Sequence, residues 1–319
     1  MTDFRYREEV EQTLAIGDNR GRSQSPWDVP WDIVIQKGSL IASIHRLVRK
    51  LDIRRLAFES SMSYDFFRGL SRCGISLVPT NNRIERLRET KDREEVALIK
   101  EAVQRAEGAF LDIKPFLKEG KRERDVARML EERLKKRGCN HIPFDIIVAS
   151  GAHSALPHAK TTEKKFSGGD FIVIDWGGEA GGYFSDMTRT LLVRGGDMNR
   201  KRDIYQTVLK ANRAAVSAVR PGVESNEIDR AARDSIKRAG YGTFFGHGTG
   251  HGVGLEVHEL PRISHTGSSV IREKMVFTIE PGIYIPGWGG VRIEDMVLVK
   301  TRGPEVMTTL PRDMEVLPR

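Results

Sequence analysis

Five residues in the second half of a 319-residue chain have the types and order to hold two cations: Asp175, Asp186, His251, Glu280 and Glu294. They fall in FIVIDWGG, YFSDMTRT, HGTGHGVGLEVHE, FTIEPGIY and VRIEDMVLV. Four carboxylates and one imidazole can bind and bridge two divalent ions, and a hydroxide between two such ions is a nucleophile at neutral pH. Carboxylates that close repel, and their pKa values rise unless cations neutralise them. The chemistry indicated is metal-assisted hydrolysis.

Such a set needs a scaffold that gathers it. DFIVIDW and MTRTLLV read as strands, preceded by FDIIVAS, and the GGEAGGYFS between Asp175 and Asp186 suits a hairpin. Glu280 and Glu294 flank a second turn-rich segment, PGIYIPGWGGVRI. A helix is expected from about Lys91 to Ile113, with Pro115 just past it, and another over about 122–137, ended by Gly138. IYQTVLKANRAAVSAV is a long helix stopped by Pro221 and Gly222, and IDRAARDSIKRAG a further one ended by Gly240. An offset of 102 residues lays Gly120 on Gly222, Val126 on Ile228, Arg128 on Arg230, Leu134 on Ile236 and Gly138 on Gly240. DFIVID aligns with MVFTIE, which puts Asp175 on Glu280; SDMT aligns with IEDM, which puts Asp186 near Glu294. An internal repeat of this length implies two similar α/β halves about a pseudo-two-fold axis, each supplying one carboxylate pair.

Residues 1–85 read as a smaller α/β domain. WDIVIQKG, RLAFES and GISLVPT are strand candidates; SLIASIHRLVRKL has helical periodicity with Leu40, Ile44, Leu47 and Leu51 on one stripe; MSYDFFRGL is a short helix. The boundary falls near NNRIERLRETKDREE, leaving residues 86–319 as the second domain. Hydrophobic content of 39% and charged content of 30% suit a globular chain with a sizeable core. No apolar run reaches membrane-span length, MTDFRYREEVEQ has no apolar signal-peptide core, and Cys73 and Cys139 form no disulfide framework. A cytoplasmic protein with no membrane partner is expected. The net charge of +8 is spread through KDREEVALIKEA and GKRERDVARMLEERLKKRG, which read as solvated helix faces with opposite charges three or four apart. No nucleic-acid partner is expected.

FDIIVASGAHSALPHA, IDWGGEAGGYFSDMTRT, GHGTGHGVGLEVHELPRIS, IEPGIY and GVRIEDM closely resemble the pita-bread metallopeptidases, and within them the Xaa-Pro branch of prolidase and aminopeptidase P. The resemblance covers about residues 84–319 and includes all five metal positions. It implies an α+β pita-bread fold, a dinuclear Mn(II) or Co(II) site, and cleavage of the bond before a proline in a dipeptide or short peptide. Carboxylate-rich ligation with a single histidine suits Mn(II), with Co(II) and Zn(II) as the other candidates. Asp186 and Glu294 would bridge, His251 would bind one ion only, and Glu280 would also accept the proton of the bridging water. His258 would donate to the tetrahedral oxyanion, and His158 and His247 would hold the substrate backbone or terminus. The ordinary role for each of these three is a satisfied structural histidine. Arg262 would bind a free carboxylate, its ordinary role being a surface arginine. Phe144 would wall a proline pocket, where a core aromatic is the commoner role. Arg292, two residues before Glu294, could steady a carboxylate from behind. His45, His141, His153 and His265 have no motif support and read as ordinary. The resemblance also implies a creatinase-like N-terminal domain. TDFRYREEV matches a segment well inside it, so a truncated domain and a less stable residue 1–85 region are expected, and the assembly allows a homodimer.

Two rivals are weighed. A methionine aminopeptidase-type enzyme would lack the N-terminal domain and look less like SALPHA and GLEVHELPRIS. A non-catalytic pita-bread binding module would have lost metal ligands, and here none is lost.

Overall fold

The computed structural model describes Val34, Gln36 and residues 38–318; the strand expected at WDIVIQKG falls largely outside the described residues. The chain divides into two compact units, Met1–Arg83 and Ile84–Arg319. In the first, Ser39 caps α1 (Leu40–Lys50), accepting the Ala42 N–H. β1 (Arg55–Glu59) and β2 (Ser76–Thr80) pair in parallel, with α2 (Tyr64–Ser71) between them in the chain. The expected α1 stripe is shifted. Leu40 and Leu51 are 40% and 57% exposed, whereas Val48 is buried. Gly69 of α2 leaves a gap that Ile41 fills, since a Cβ there would lie 2.2 Å from the Ile41 side chain. The packed row is therefore Ile41, Ile44 and Val48 rather than the neighbouring one.

The division falls at the first residue of α3 (Arg83–Arg88), which is followed by α4 (Arg93–Ile113), starting at a reciprocal capping box between Asp92 and Glu95. α5 (Glu123–Lys136) ends where Gly138 turns to φ 91°, a left-handed conformation that favours glycine. Then come β3 (Ile147–Ser150), β4 (Phe171–Trp176), the small hairpin β5 (Glu179–Ala180) and β6 (Tyr183–Phe184), and β7 (Met187–Val193). α6 (Met198–Ala218) starts at the Asp197 cap, six residues before the expected apolar run, and α7 (Ser225–Arg238) follows. The remaining strands are β8 (Gly250–Gly252), β9 (Glu259–Ile263), β10 (Val276–Ile279), β11 (Gly282–Ile285), β12 (Gly289–Arg292), β13 (Asp295–Lys300), β14 (Gly303–Val306) and β15 (Glu315–Leu317). This is the mixed α and β architecture expected. Among the described residues no helix is long and apolar enough to cross a membrane.

Two sheets carry the site. One has the order β15-β7-β4-β3 and the other β14-β13-β10-β8-β9. Their central strands are covered on both faces, so β7 and most of β13 are buried without alternation. Ile172, Ile174, Met187, Leu191, Met296 and Leu298 face one core with Val103, Phe110 and Leu130 of α4 and α5. Phe171, Leu192, Phe277, Val297 and Val299 face a second core with Ile204, Val208, Ile228 and Ile236 of α6 and α7. Trp176 anchors the first core, stacked on Phe110 at 4.7 Å with its indole N–H donated to the Ala106 carbonyl.

The charged runs are solvated with two exceptions that correct the sequence reading. Glu123 is fully buried and Lys91 is 1% exposed. Each has internal partners that compensate for lost water, as buried charges require.

Candidate metal centre

Strand register brings the five residues together. Asp175 lies near the end of β4, opposite Thr188 of β7, and Asp186 immediately precedes β7. Glu280 immediately follows β10, and Glu294 immediately precedes β13, its antiparallel partner. Thus each sheet presents two carboxylates where neighbouring strands meet. His251 is the middle residue of β8, beside β10. The GHG sequence around it is a steric requirement. A Cβ on Gly250 would sit 1.9 Å from the Thr278 carbonyl oxygen, and one on Gly252 2.1 Å from that of Leu260. β8 is squeezed too tightly for any side chain but the histidine's, on the open side.

The donor atoms converge. Asp175, Asp186 and Glu294 form one group of three with ligand atoms within 4.8 Å of one another; His251, Glu280 and Glu294 form another; Asp186, His251 and His258 form a third. Glu294, Asp186 and His251 each belong to two of these groups. His251 Nδ1 faces the Gly252 carbonyl at 3.1 Å, so it carries the proton and Nε2 presents a lone pair. That lone pair faces Glu280 Oε1 at 3.4 Å and Asp186 Oδ2 at 3.6 Å. Burial holds the imidazole below its usual range, favouring the neutral form. Electron pairs therefore point at electron pairs, an arrangement that a cation between them relieves. Asp175 Oδ1 and Asp186 Oδ1 are buried without a hydrogen-bond partner. Burial, and then the neighbouring carboxylates, push Asp186 and Glu294 well above the ordinary carboxylate range. Glu280 is raised as well, by burial first. These residues fit divalent cations on lone-pair orientation, orphaned oxygens and charge.

A polar layer sets the orientation of the carboxylates. The Thr188 hydroxyl donates to Glu294 Oε2 at 2.7 Å and accepts from Arg292 Nε at 2.9 Å. The Thr278 hydroxyl accepts the His251 N–H and reaches Glu280 Oε1 at 3.4 Å. Arg292 ends β12, whereas Glu294 falls between β12 and β13, so the two do not share a strand face. Its guanidinium reaches Asp175 Oδ2 at 2.6 Å and also donates to the Tyr284 hydroxyl and the Pro157 carbonyl.

The remaining candidates are distributed as follows. His247 is committed at both ring nitrogens, Nδ1 to the Gly248 carbonyl at 2.7 Å and Nε2 to the Tyr284 hydroxyl at 2.9 Å. A substrate contact there would displace Tyr284. The His258 ring lies 4.3 Å from that of His251 and shares a donor group with it, so its position suits a cation as well as an oxyanion. His158 is exposed. Arg262 pairs across the ladder with His251 and has an exposed side chain. Phe144 is half-buried and joins neither core. His153 bonds Glu123, His45 belongs to the first unit, and His141 and His265 are exposed.

Tyr284, Thr188 and Thr278 are absent from the sequence-based set. Burial pushes the Tyr284 hydroxyl up to about 12, so it stays a donor. Period-two spacing could have found the threonines, because Thr188 is two residues after Asp186 and Thr278 two before Glu280. Tyr284 had no such signal; it meets Arg292 through the β11–β12 pairing.

The chain is also similar to known proteins. The pattern of Metallopeptidase family M24 matches residues 97–301. A Xaa-Pro dipeptidase of Pyrococcus horikoshii is 41% identical over 264 residues, covering 82% of this chain and 75% of the relative. Among solved structures, a Xaa-Pro dipeptidase from Bacillus anthracis superposes with a TM-score of 0.90 at 39% identity, covering 99% of this chain and 85% of that one. An X-Pro aminopeptidase from Thermotoga maritima gives a TM-score of 0.85 at 36% identity over the same shares, 99% and 85%.

Proposed function

The chain belongs to metallopeptidase family M24, and from that premise we propose that it hydrolyses the Xaa-Pro bond of dipeptides or short peptides with proline second. The carrying observation is the convergence of Asp175, Asp186, His251, Glu280 and Glu294 in overlapping three-donor groups, with orphaned carboxylate oxygens among them. These five would hold two divalent ions, Mn(II) first by the carboxylate-rich donor set, with Co(II) and Zn(II) as alternatives. Such ions, when bound, supply Lewis acidity and lower the pKa of water. Asp186 and Glu294 would be the carboxylates shared between the ions, since each can offer two oxygens and each belongs to two groups, whereas His251, also in two groups, has only Nε2 free to bind one ion. Glu280 would accept the proton of the attacking water, a role its place beside His251 in the donor group supports. His258 donates to the oxyanion, His158 and His247 line the cleft, Arg262 receives a free carboxylate and Phe144 walls the proline side. Arg292 holds Asp175 in place, with Tyr284 and Thr188 behind it.

Further parts of the reading rest on separate support. The pseudo-two-fold repeat is supported by α5 and α7, both 14 residues long at the expected offset, and by α4 and α6, both 21. A creatinase-like domain over residues 1–85 is supported by the parallel β1–β2 pair with α2 between its strands. Cytoplasmic location is supported by Cys73 and Cys139, both free. A homodimer is part of the same reading, with exposed Leu51 and Tyr64 among the apolar side chains available to it. Likeness to Xaa-Pro dipeptidases disfavours a methionine aminopeptidase-type enzyme or a binding module.

The test is hydrolysis of Ala-Pro, Ala-Pro-Ala and Met-Ala-Ala by protein of measured metal content. Cleavage before proline, lost in EDTA and restored by Mn(II), is expected. Cleavage of Met-Ala-Ala alone would move the chain to the methionine-specific rival. No cleavage with metal bound would leave a binding module.

A further inference from the structure

Glu259 directly follows His258 and opens β9. Its side chain is 2% exposed, yet it is not among the residues grouped for a metal, and no catalytic step needs it. Both its oxygens are taken by cations. Lys91 Nζ donates to Oε1 at 2.5 Å, and Arg88 Nη2 to Oε2 at 2.6 Å. Lys91 is itself 1% exposed. The same Arg88 nitrogen also reaches Glu256 Oε2 at 3.1 Å. Arg88 therefore grips the chain on both sides of His258, two residues before it and one after.

The loop between is short and tightly folded. Gly254 N–H closes onto the Glu256 carbonyl, and a Cβ at Gly254 would lie 2.5 Å from Glu259 Oε1. His258 itself has no side-chain hydrogen bond among the described residues and is exposed. Its ring depends on the backbone that carries it. That backbone is tied to the segment ahead of α4, which is anchored in turn by Lys91 N–H on the Lys274 carbonyl and by the Asp92 cap.

Burying the charges of Lys91 and Glu259, with a partly buried Arg88 beside them, for packing alone is a poor use of them, because apolar side chains of similar volume often do as well. Directional ion pairs do something that apolar contacts cannot: they fix the register of a loop. We propose that Arg88, Lys91 and Glu259 form a clamp that positions the His258 imidazole against the developing charge of the substrate. It rests on the role for His258 argued above. The three are positioning residues, acting only through His258.

The experiment is a double-mutant cycle on the Mn(II)-loaded protein, using Ala-Pro or Ala-Pro-Ala, whichever is turned over faster. Arg88→Met, Glu259→Gln and His258→Ala are made singly, and Arg88→Met and Glu259→Gln also in the His258→Ala background. Arg88 is the milder site, its side chain being 21% exposed, so it carries the cycle if Glu259→Gln fails to fold. Arg88→Met is expected to lower kcat about tenfold with KM nearly unchanged and metal content full, the scale of a misplaced catalytic group. His258→Ala is expected to lower kcat about a hundredfold. On top of His258→Ala, Arg88→Met should change kcat less than about twofold, because nothing remains to be positioned. An equal drop in both backgrounds overturns the clamp while leaving His258 in its role. An unchanged kcat in Arg88→Met also overturns it. Full activity in His258→Ala removes the role of His258 and the clamp with it.

Discussion

Asp186 and Glu294 are too deep and too crowded to be ionised together without help. Burial raises both first; Glu294 then adds to Asp186, and Glu280 to Glu294. A raised folded pKa means that the cation-free protein binds protons more tightly than the unfolded chain. The contribution of these two carboxyls to its stability is therefore best at low pH and falls as pH climbs from the unfolded carboxylate value, about 4, through the raised folded values. Divalent ions remove that penalty. The difference in melting temperature between Mn(II)-loaded and EDTA-treated protein should widen from about pH 5 to about pH 8; a constant or narrowing gap in calorimetry would contradict it. Substitution tests the sharing of ligands. Asp186→Ala or Glu294→Ala should lose both ions, and His251→Ala mainly one, read by metal analysis of purified protein. Full occupancy in Asp186→Ala would end the bridging assignment. The convergence of the five candidate ligands was legible because carboxylates and a histidine at the ends of or within apolar strands are rare without a shared purpose. Lys91 and Glu123 were not, since in KDREE and KRERDV they look like any solvated charge until the fold closes over them.

At the scale of elements, close approach and loop anchorage decide whether the ligands meet. β8 can lie against β10 only because Gly250 has no side chain. Gly250→Ala should destabilise by about 1–3 kcal/mol as an overpacked position and should also displace His251. Denaturant unfolding together with metal content checks both parts; an alanine variant with full stability and full occupancy would show that β8 has slack. The loop carrying His158 depends on Glu123. Its carboxylate accepts from Ser150 N–H and hydroxyl at one end, Thr162 N–H and hydroxyl at the other, and contacts His153 between. Burial alone would raise Glu123, but the hydrogen bonds from Thr162, Ser150 and His153 outweigh it and hold the carboxyl low. A depressed folded pKa gives stability that is present above the unfolded value, about 4.3, and is lost as pH falls through the folded one. Glu123→Gln should cost about 2–3 kcal/mol at neutral pH, and less in acid where the wild-type carboxyl is protonated too. Equal cost at both pH values would contradict the charged form. Helix periodicity revealed α4 to α7 because their apolar faces repeat in sequence. Arg292 was singled out from its place two residues before Glu294, but its link to Tyr284 stayed hidden because strand register makes that contact, and register is not written in any one segment.

Over the whole molecule, the two sheets divide the interior of the second unit into two cores, and the carboxylates stand where the sheets approach. Arg189 of β7 reaches the Glu294 carbonyl, Asp295 and the Pro311 carbonyl. Asn212 of α6 donates to the Ile279 and Ile293 carbonyls, next to two of the ligands. Loss of either tie should therefore be felt as metal affinity as well as stability. Asn212→Ala is expected to cost about 1–3 kcal/mol by leaving buried carbonyls unpaired, and to weaken Mn(II) binding in a calorimetric titration. Unchanged affinity would confine Asn212 to packing.

The pairing of β15 with β7 has a consequence for how the protein is made. All five candidate ligands lie within residues 175–294, yet the sheet bearing Asp175 and Asp186 gains its outer strand only with Glu315–Leu317, in parallel with Leu191–Val193. Glu107 of α4 likewise waits for the N–H groups of Thr309 and Leu310. During translation, more than a hundred residues of β7, α6 and the second sheet emerge before their neighbour does. A nascent chain still tethered at Val306 has every ligand and an open sheet edge beside them. The sheet beside the candidate centre closes only once Glu315–Leu317 has joined β7, and until then that edge is open to pairing with another strand.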